Sequence, residues 1–331
     1  MLIKLSKGAR QPKRARWSLE RLNHERAIAL GYAIDPRSNL SYTSALNSYI
    51  TFCNLHEFPV QPTESTMSYF IVYMCHHIRP QSVDSYLSGI CNQLEPYFPN
   101  IREIRSSILV ARTLKGCKRL KGTTVNRKLP ISRDHIQLAI DQYGNSPIYD
   151  DKLWLCQFLC GFDALLRVAE FTMPDNVKAR NWKKFSRCAS VQWFKDDTAI
   201  SFLLPAHKGD TIFEGNRIII VTATVIRAFH AYVSARDSHF PLHPALWVRA
   251  DGTVPTRDWF VKRLRQLIPD SHYGGQSLRA GGATALAENG TLPHIIQARG
   301  RWSSEAFRIY IRKNPVLLQA MIHRQPVPTL L

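Results

Sequence analysis

The chain has 331 residues, 45% of them apolar, and carries 44 Lys and Arg against 25 Asp and Glu, a formal charge of +19. A chain of this length and apolar content can bury a core and form two domains, which excludes a disordered basic tail. The charge is typical of a protein that binds a phosphate backbone, although ribosomal, RNA-binding and membrane-surface proteins share such an excess.

The cysteines predict a reducing environment, because no C-x-x-C pair suggests a disulfide framework. The seven are Cys53, Cys75, Cys91, Cys117, Cys156, Cys160 and Cys188. No metal site or cofactor is expected, since no second ligand pair matches Cys75-His76-His77 and no nucleotide-binding glycine motif is present. No apolar run approaches the roughly 18 residues that span a bilayer, and the first residues lack the apolar core expected of a signal peptide. We therefore expect a soluble intracellular protein without a membrane partner.

Residues 1–38 are predicted to form a basic, proline-interrupted arm. Its basic residues precede the first acid, Glu20, and include Lys4, Lys7, Arg10, Lys13, Arg14 and Arg16. Such a cluster fits a nuclear-localisation or DNA-tracking segment, and equally a solvated tail.

Residues 39–120 show helical spacing of apolar residues and predict a small helical domain of four helices. The expected helices run from about Tyr42 to Cys53, from Met67 to Ile78, from Val83 to Leu94 with Ser82 as the cap, and from Ile101 to Leu120. In the fourth, Ile101, Ile104, Ile108 and Leu114 are expected to face the core.

The remaining surface of the fourth helix and the residue after it are basic. A helix with an apolar stripe and a basic remainder can pack and hold phosphates at once, although a merely solvated face is the alternative. The candidate DNA-binding residues are Arg102, Arg105, Arg112, Lys115, Lys118, Arg119 and Lys121.

A polar linker, 121–131, leads to a second, larger domain at 132–331. Ser132 is placed to cap a helix to about Gln142, and Leu153 to Leu166 is apolar nearly all round, which indicates a buried helix. Three strands are expected at Val191–Phe194, Thr198–Leu204 and Arg217–Val221, the first two as a hairpin. Further helices fit Val225–Arg236, 256–267, 279–288, 293–299, 304–312 and 315–323.

Candidate residues for phosphodiester chemistry follow one another along this second domain. Strand cleavage by a side chain needs an oxygen nucleophile, positive donors around the phosphate and an acid for the leaving oxygen. The candidates are Arg167 with Glu170, Lys208 in a turn, Gln276 and Arg279 before a small-residue run, Trp302 and Tyr310. Tyr310 is the only tyrosine after Tyr273. Structural alternatives are a surface ion pair for Arg167, a solvated turn for Lys208 and a core residue for Trp302.

This succession of Gln276-Ser277-Leu278-Arg279, Gly300-Arg301-Trp302 and Tyr310 resembles the active-site half of the tyrosine recombinases. The resemblance implies a mainly α fold with a small antiparallel β-sheet, arranged as a two-domain C-shaped clamp. It implies that Arg167 and Arg279 clamp the phosphate, that Lys208 protonates the leaving oxygen and that Trp302 donates a hydrogen bond. Tyr310 would form a 3′-phosphotyrosine.

The partner implied is double-stranded DNA, held by a dimer on one site and a tetramer on two. The run Tyr86-Leu87-Ser88-Gly89-Ile90 looks like versions in fungal mobile elements, so the resemblance points to recombinases of Crypton- or DIRS-type elements acting in the nucleus. Pro315 to His323 would dock on a neighbouring protomer.

The main departure from the family pattern is Gln276, where His or Lys is usual, because an amide donates a hydrogen bond but cannot exchange a proton. The copy is therefore expected to be slowed or inactive. A recombinase-derived DNA-binding protein and a type IB topoisomerase remain as alternatives.

Overall fold

The computed structural model describes residues 14–122, 128–194, 198–205 and 215–302. The chain divides into two compact units between positions 125 and 126, within the segment 121–131 that the sequence predicts as a linker. No helix in these ranges combines the length and apolar character required to cross a bilayer.

The first unit is helical throughout its described part. Its helices are α1 (Leu19–Tyr32), α2 (Pro36–Leu55), α3 (Glu64–His77), α4 (Pro80–Leu94), α5 (Ile101–Ser106) and α6 (Ile108–Lys121). Part of the predicted arm is therefore helical: Ser18 Oγ caps α1 by accepting from Arg21 N at 3.2 Å. No residue of α1 is buried, so this helix adds nothing to the core.

The core of the first unit follows the apolar spacing of the sequence, and Tyr49, Cys53 and Ile101 are fully buried. Two predictions here are wrong. Ser82 does not cap α4, because Pro80 starts that helix one turn earlier as its first residue.

The single helix predicted over 101–120 is broken at Ser107, whose extended ψ of 154° ends α5 while its hydroxyl caps α6. The break shifts the register, so Ile108, predicted to face the core, is 76% exposed.

The second unit is mainly α with a small sheet. Its elements are α7 (Arg133–Tyr143), α8 (Tyr149–Asp163), α9 (Val168–Phe171), β1 (Gln192–Trp193), β2 (Ile200–Leu204), β3 (Asn216–Ile220), α10 (Ala223–His239), α11 (Arg257–Leu267), α12 (Ser277–Glu288) and α13 (Pro293–Arg299). The sheet is antiparallel in the order β1-β2-β3, and Ile200 pairs with Ile220. The predicted mainly α fold with a small antiparallel sheet is therefore confirmed.

Helix α8 is the buried centre of this unit. Its residues from Leu153 to Gly161 are all buried, as the sequence predicts, but the helix begins earlier and ends at Asp163. Glycines in α12 let that helix pack closely beside it: a Cβ at Gly282 would collide with the Phe162 carbonyl oxygen and approach Leu165 Cδ2 to 2.5 Å. A Cβ at Gly281 would collide with the Ile131 carbonyl oxygen.

We expect Gly282→Ala to lower the free energy of unfolding by about 1–3 kcal/mol, because backbone atoms cannot yield to the added methyl group. Thermal unfolding measures this. The matched control is Gly116→Ala in α6, where an added Cβ meets nothing within 4 Å. That variant should be unchanged or slightly more stable, since alanine favours a helix. Equal unfolding temperatures for Gly282→Ala and the native protein would contradict the packing.

Candidate active site

The site is built on the turn that follows α8. The chain leaves the helix through Leu165, a residue with a positive φ of 51°, and Leu166 N donates to Gly161 O at 2.9 Å. A left-handed residue other than glycine costs about 1–3 kcal/mol and persists only where the surrounding structure holds it. The turn leaves the Ala164 and Leu165 carbonyl oxygens to accept hydrogen bonds from other segments and sets Arg167 at the start of α9.

Arg167 and Glu170 are paired across the first turn of α9. Arg167 Nη1 donates to Glu170 Oε1 at 2.9 Å, and the Arg167 backbone N–H donates to Glu170 Oε2 at 2.9 Å. The Glu170 side chain is 5% exposed and that of Arg167 is 30% exposed. The buried Glu170 carboxylate thus fixes the position of the Arg167 side chain, while part of the Arg167 side chain faces solvent.

Arg279 reaches the same turn from α12. It is buried, its Nη1 donates to Leu165 O at 2.9 Å, and its Nη2 donates to Gly300 O. The guanidinium lies over the Trp302 ring, 4.3 Å from the ring centroid, which is a cation–π geometry. Trp302 in turn packs closely against Gly300, where any Cβ would overlap the indole.

Arg301 completes the group, and sequence reasoning missed it although the run Gly300-Arg301-Trp302 was singled out. Its Nη1 donates to Ala164 O and Arg299 O at 3.2 and 3.0 Å. Its Nη2 donates to Leu165 O and to Glu170 Oε2, both at 3.1 Å. We call Arg167, Arg279, Arg301 and Glu170 the arginine cluster.

The arginine cluster carries net positive charge, since it contains three guanidiniums and one carboxylate, with Arg167 and Arg301 in contact with Glu170. Burial lowers the pKa of Arg301, and the Glu170 carboxylate acts against that effect. A fork of guanidinium N–H groups with excess positive charge is suited to bind the oxygens of a phosphate. The cluster is therefore a candidate site for a phosphate group.

Gln276 lies at the N-terminus of α12, three residues before Arg279. Its side chain is exposed and does not cap the helix, although its carbonyl oxygen accepts from Ala280 N at 3.1 Å. Among the described residues, no hydrogen bond joins the Gln276 amide to the cluster. His272, the nearest histidine before it, is exposed and bonds Asp270 Oδ1 at 2.7 Å.

For the strand cleavage that the sequence resemblance implies, histidine at position 276 should raise the rate at least about tenfold, because general acid–base assistance is typically worth about 10² to 10⁴ and part of it is expected from Lys208. The cleavage rate of this variant should also depend on pH with a midpoint of about 6.5, the ordinary pKa of histidine. Single-turnover cleavage by Gln276→His measures this, with Gln276→Asn as the non-titrating control. A neutral or slower histidine variant would show that glutamine is a working residue at this position.

Two predicted site residues lie outside the described residues. Lys208 belongs to the segment joining β2 to β3, and Tyr310 follows the last described residue, Trp302. The predicted helices at 304–312 and 315–323 lie outside that range as well.

The predicted DNA-binding residues of the first unit fall into two groups. Three are held in ion pairs: Arg102 by Glu95 at 2.6 Å, and Arg105 and Lys118 by Asp84 at 3.1 and 2.7 Å. The Lys118 ammonium, followed by the Arg105 guanidinium, lowers the pKa of Asp84. The other four form no ion pair within the described ranges and lie on α6: Arg112, Lys115, Arg119 and Lys121.

Solved structures with the same fold are tyrosine recombinases and integrases. The Tn1549 transposon integrase in complex with circular intermediate DNA superposes with a TM-score of 0.57 at 12% identity, covering 92% of this chain and 98% of that one. The XerH site-specific recombinase bound to palindromic difH substrate gives 0.55 at 14% identity, covering 81% and 74%. The lambda integrase dimer bound to a COC′ core site gives 0.54 at 14% identity, covering 89% and 95%.

The likeness establishes the fold: the mostly helical architecture with a three-stranded antiparallel sheet matches the catalytic domain of tyrosine recombinases. No protein-family model matches the sequence, and no curated protein matches it.

Proposed function

We propose that this protein is a site-specific DNA recombinase or integrase that cleaves and rejoins DNA strands through a covalent 3′-phosphotyrosine. The observation that carries the proposal is the meeting of Arg167 and Arg279 at the Leu165 turn, joined by Glu170 and Arg301. The fold shared with recombinases and integrases solved on DNA supports double-stranded DNA as the partner.

The chemistry assigns one task to each side chain. The guanidiniums of Arg167 and Arg279 neutralise the non-bridging oxygens of the scissile phosphate. The Trp302 ring packs against the Arg279 guanidinium and fixes its position. Tyr310 Oη releases its proton to solvent and attacks phosphorus, forming a phosphotyrosine with the 3′ end, while the bond to the 5′ oxygen breaks. Lys208 supplies the proton to that leaving oxygen. A 5′-hydroxyl from another strand reverses these steps and restores Tyr310.

The wider assignment rests on the same proposal. The unpaired cations of α6 would follow the DNA backbone, and a dimer on one site would become a tetramer on two. The source we propose is a mobile element of the fungal Crypton or DIRS type, acting in the nucleus.

A nicked suicide duplex tests the function, because loss of a short fragment after cleavage traps the covalent adduct. The native protein should give an adduct resistant to denaturing electrophoresis. Tyr310→Phe should give none and should bind the duplex within a few fold of the native affinity, since it keeps the ring. The control Tyr273→Phe should retain the adduct. An adduct formed by Tyr310→Phe would place the nucleophile elsewhere, and its absence from the native protein on the element's own terminal sequence would reject the function.

A further inference from the structure

Arg301 is a buried cation that makes several hydrogen bonds within the candidate site. Its side chain is 8% exposed, and its two terminal nitrogens donate to four oxygens of three segments. Its backbone lies in the left-handed region with a φ of 53°. Since an isolated buried guanidinium is costly, this arrangement persists only because the surrounding oxygens compensate the charge.

The shared partner is Glu170, and its two oxygens have different roles. Oε1 accepts from the Arg167 guanidinium, whereas Oε2 accepts from the Arg167 backbone N–H and from Arg301 Nη2. With Arg301 in place, two cations surround one buried acid and the group keeps a net positive charge. Without Arg301, Arg167 alone would neutralise Glu170, and its guanidinium would have less charge to offer a ligand.

Arg301 also links the two arginines that are proposed to hold the phosphate. The Leu165 carbonyl oxygen accepts from Arg301 Nη2 at 3.1 Å and from Arg279 Nη1 at 2.9 Å. The Arg301 side chain thus contacts Glu170, which pairs with Arg167, and the Leu165 carbonyl oxygen, which also accepts from Arg279. Arg167, the residue that Arg301 reaches through Glu170, remains 30% exposed.

We propose that Arg301 is a positioning residue of the phosphate site: it holds Glu170 and the Leu165 carbonyl so that the Arg167 and Arg279 guanidiniums are aimed at one phosphate and keep excess positive charge. The proposal rests on the proposed phosphoryl transfer. The competing explanation is that Arg301 has only a structural role and stabilises the packing of the end of α13 against the end of α8.

The test measures single-turnover cleavage of the pre-bound suicide duplex. Arg301→Met should lower the rate about 100-fold, the effect of misplacing a binding group by about 1 Å, and leave duplex affinity within threefold. Arg301→Lys keeps the charge and should recover part of the rate. The matched control is Arg263→Met, which breaks a partly buried ion pair with Asp151 elsewhere in the unit and should destabilise the fold without changing the rate.

A double-variant cycle with Glu170→Gln separates positioning from simple stability. If Arg301 acts through Glu170, the combined variant should be no more than about threefold slower than the slower single variant. Three results would overturn the proposal. The rate reductions of the two single variants could multiply in the combined variant, Arg301→Met could leave the rate unchanged, or Arg263→Met could lower the rate as much as Arg301→Met. If Arg301→Met does not fold, Arg301→Lys decides in the same cycle.

Thermal stabilisation by inorganic phosphate gives a readout that does not depend on strand cleavage. The native protein should be stabilised, and the apparent phosphate affinity of Arg301→Met should be at least about tenfold weaker. If phosphate binding is weakened in this way but the native protein forms no covalent adduct with DNA, the proposed recombinase function is rejected and the positioning role is kept. Equal stabilisation of both proteins, or of neither, would overturn the positioning role itself.

Discussion

Replacement of Arg279 by methionine should slow single-turnover strand cleavage about 10²- to 10³-fold, the usual cost of removing one preorganised donor from a developing anion. Methionine keeps much of the apolar bulk of the arginine and its contact with Trp302. It removes the charge and the donors to the Leu165 and Gly300 carbonyl oxygens. The loss should appear in the rate of the chemical step, measured with DNA already bound.

The stability of this variant must be measured alongside, because the Gly300 carbonyl oxygen loses the Arg279 donor and an unsatisfied buried carbonyl costs about 1–3 kcal/mol. Arg279→Lys is the informative companion: an ammonium retains the charge but cannot span two phosphate oxygens in a plane, so most of the rate should still be lost. Full activity of either variant at a temperature where it is folded would exclude Arg279 from the phosphate site.

The affinity for duplex DNA should fall by about three to five decades between roughly 50 and 200 mM salt, if about six to ten phosphates are neutralised. The net charge of +19 and the unpaired cations of α6 provide the physical basis. Equilibrium titrations over a salt series measure the slope. A flat response would indicate that the positive charge serves another partner.

Variants of α6 localise this effect. Arg112→Gln combined with Arg119→Gln should reduce the salt slope by about two, because each phosphate contact contributes about 0.9. Arg102→Gln is the control, since Arg102 is paired with Glu95 at 2.6 Å and 2.6 Å and has less to offer DNA. An equal change in slope for the control would argue against a DNA-binding role for α6 in particular.

The sequence predicted most elements of the fold because their signals are local. Ser132 caps α7 as expected, with its hydroxyl accepting from His135 N at 3.4 Å, and Pro293 begins the predicted helix at 293–299. The break at Ser107 was missed because apolar spacing continues through it. Only the conformation of Ser107 shows that two helices meet there, and apolar spacing alone does not predict that conformation.

The order of the motifs along the chain indicated Arg167, Glu170, Arg279 and Trp302 as members of one site. The sequence did not indicate what joins them. The left-handed turn at Leu165 gives no sequence signal, because leucine is not a residue that favours positive φ. The role of Arg301 depends on its burial and on the Ala164, Leu165 and Glu170 oxygens, more than 130 residues earlier in the chain. A charged residue beside a tryptophan does not reveal these tertiary contacts.

The central claim is that the arginine cluster serves a phosphoryl transfer to Tyr310. Mass spectrometry of the proteolysed adduct from the suicide duplex tests it most directly, because it identifies both the modified residue and the DNA end. The account predicts one DNA-linked peptide, with the 3′ phosphate attached to Tyr310. Attachment to another residue, or through a 5′ phosphate, would contradict it.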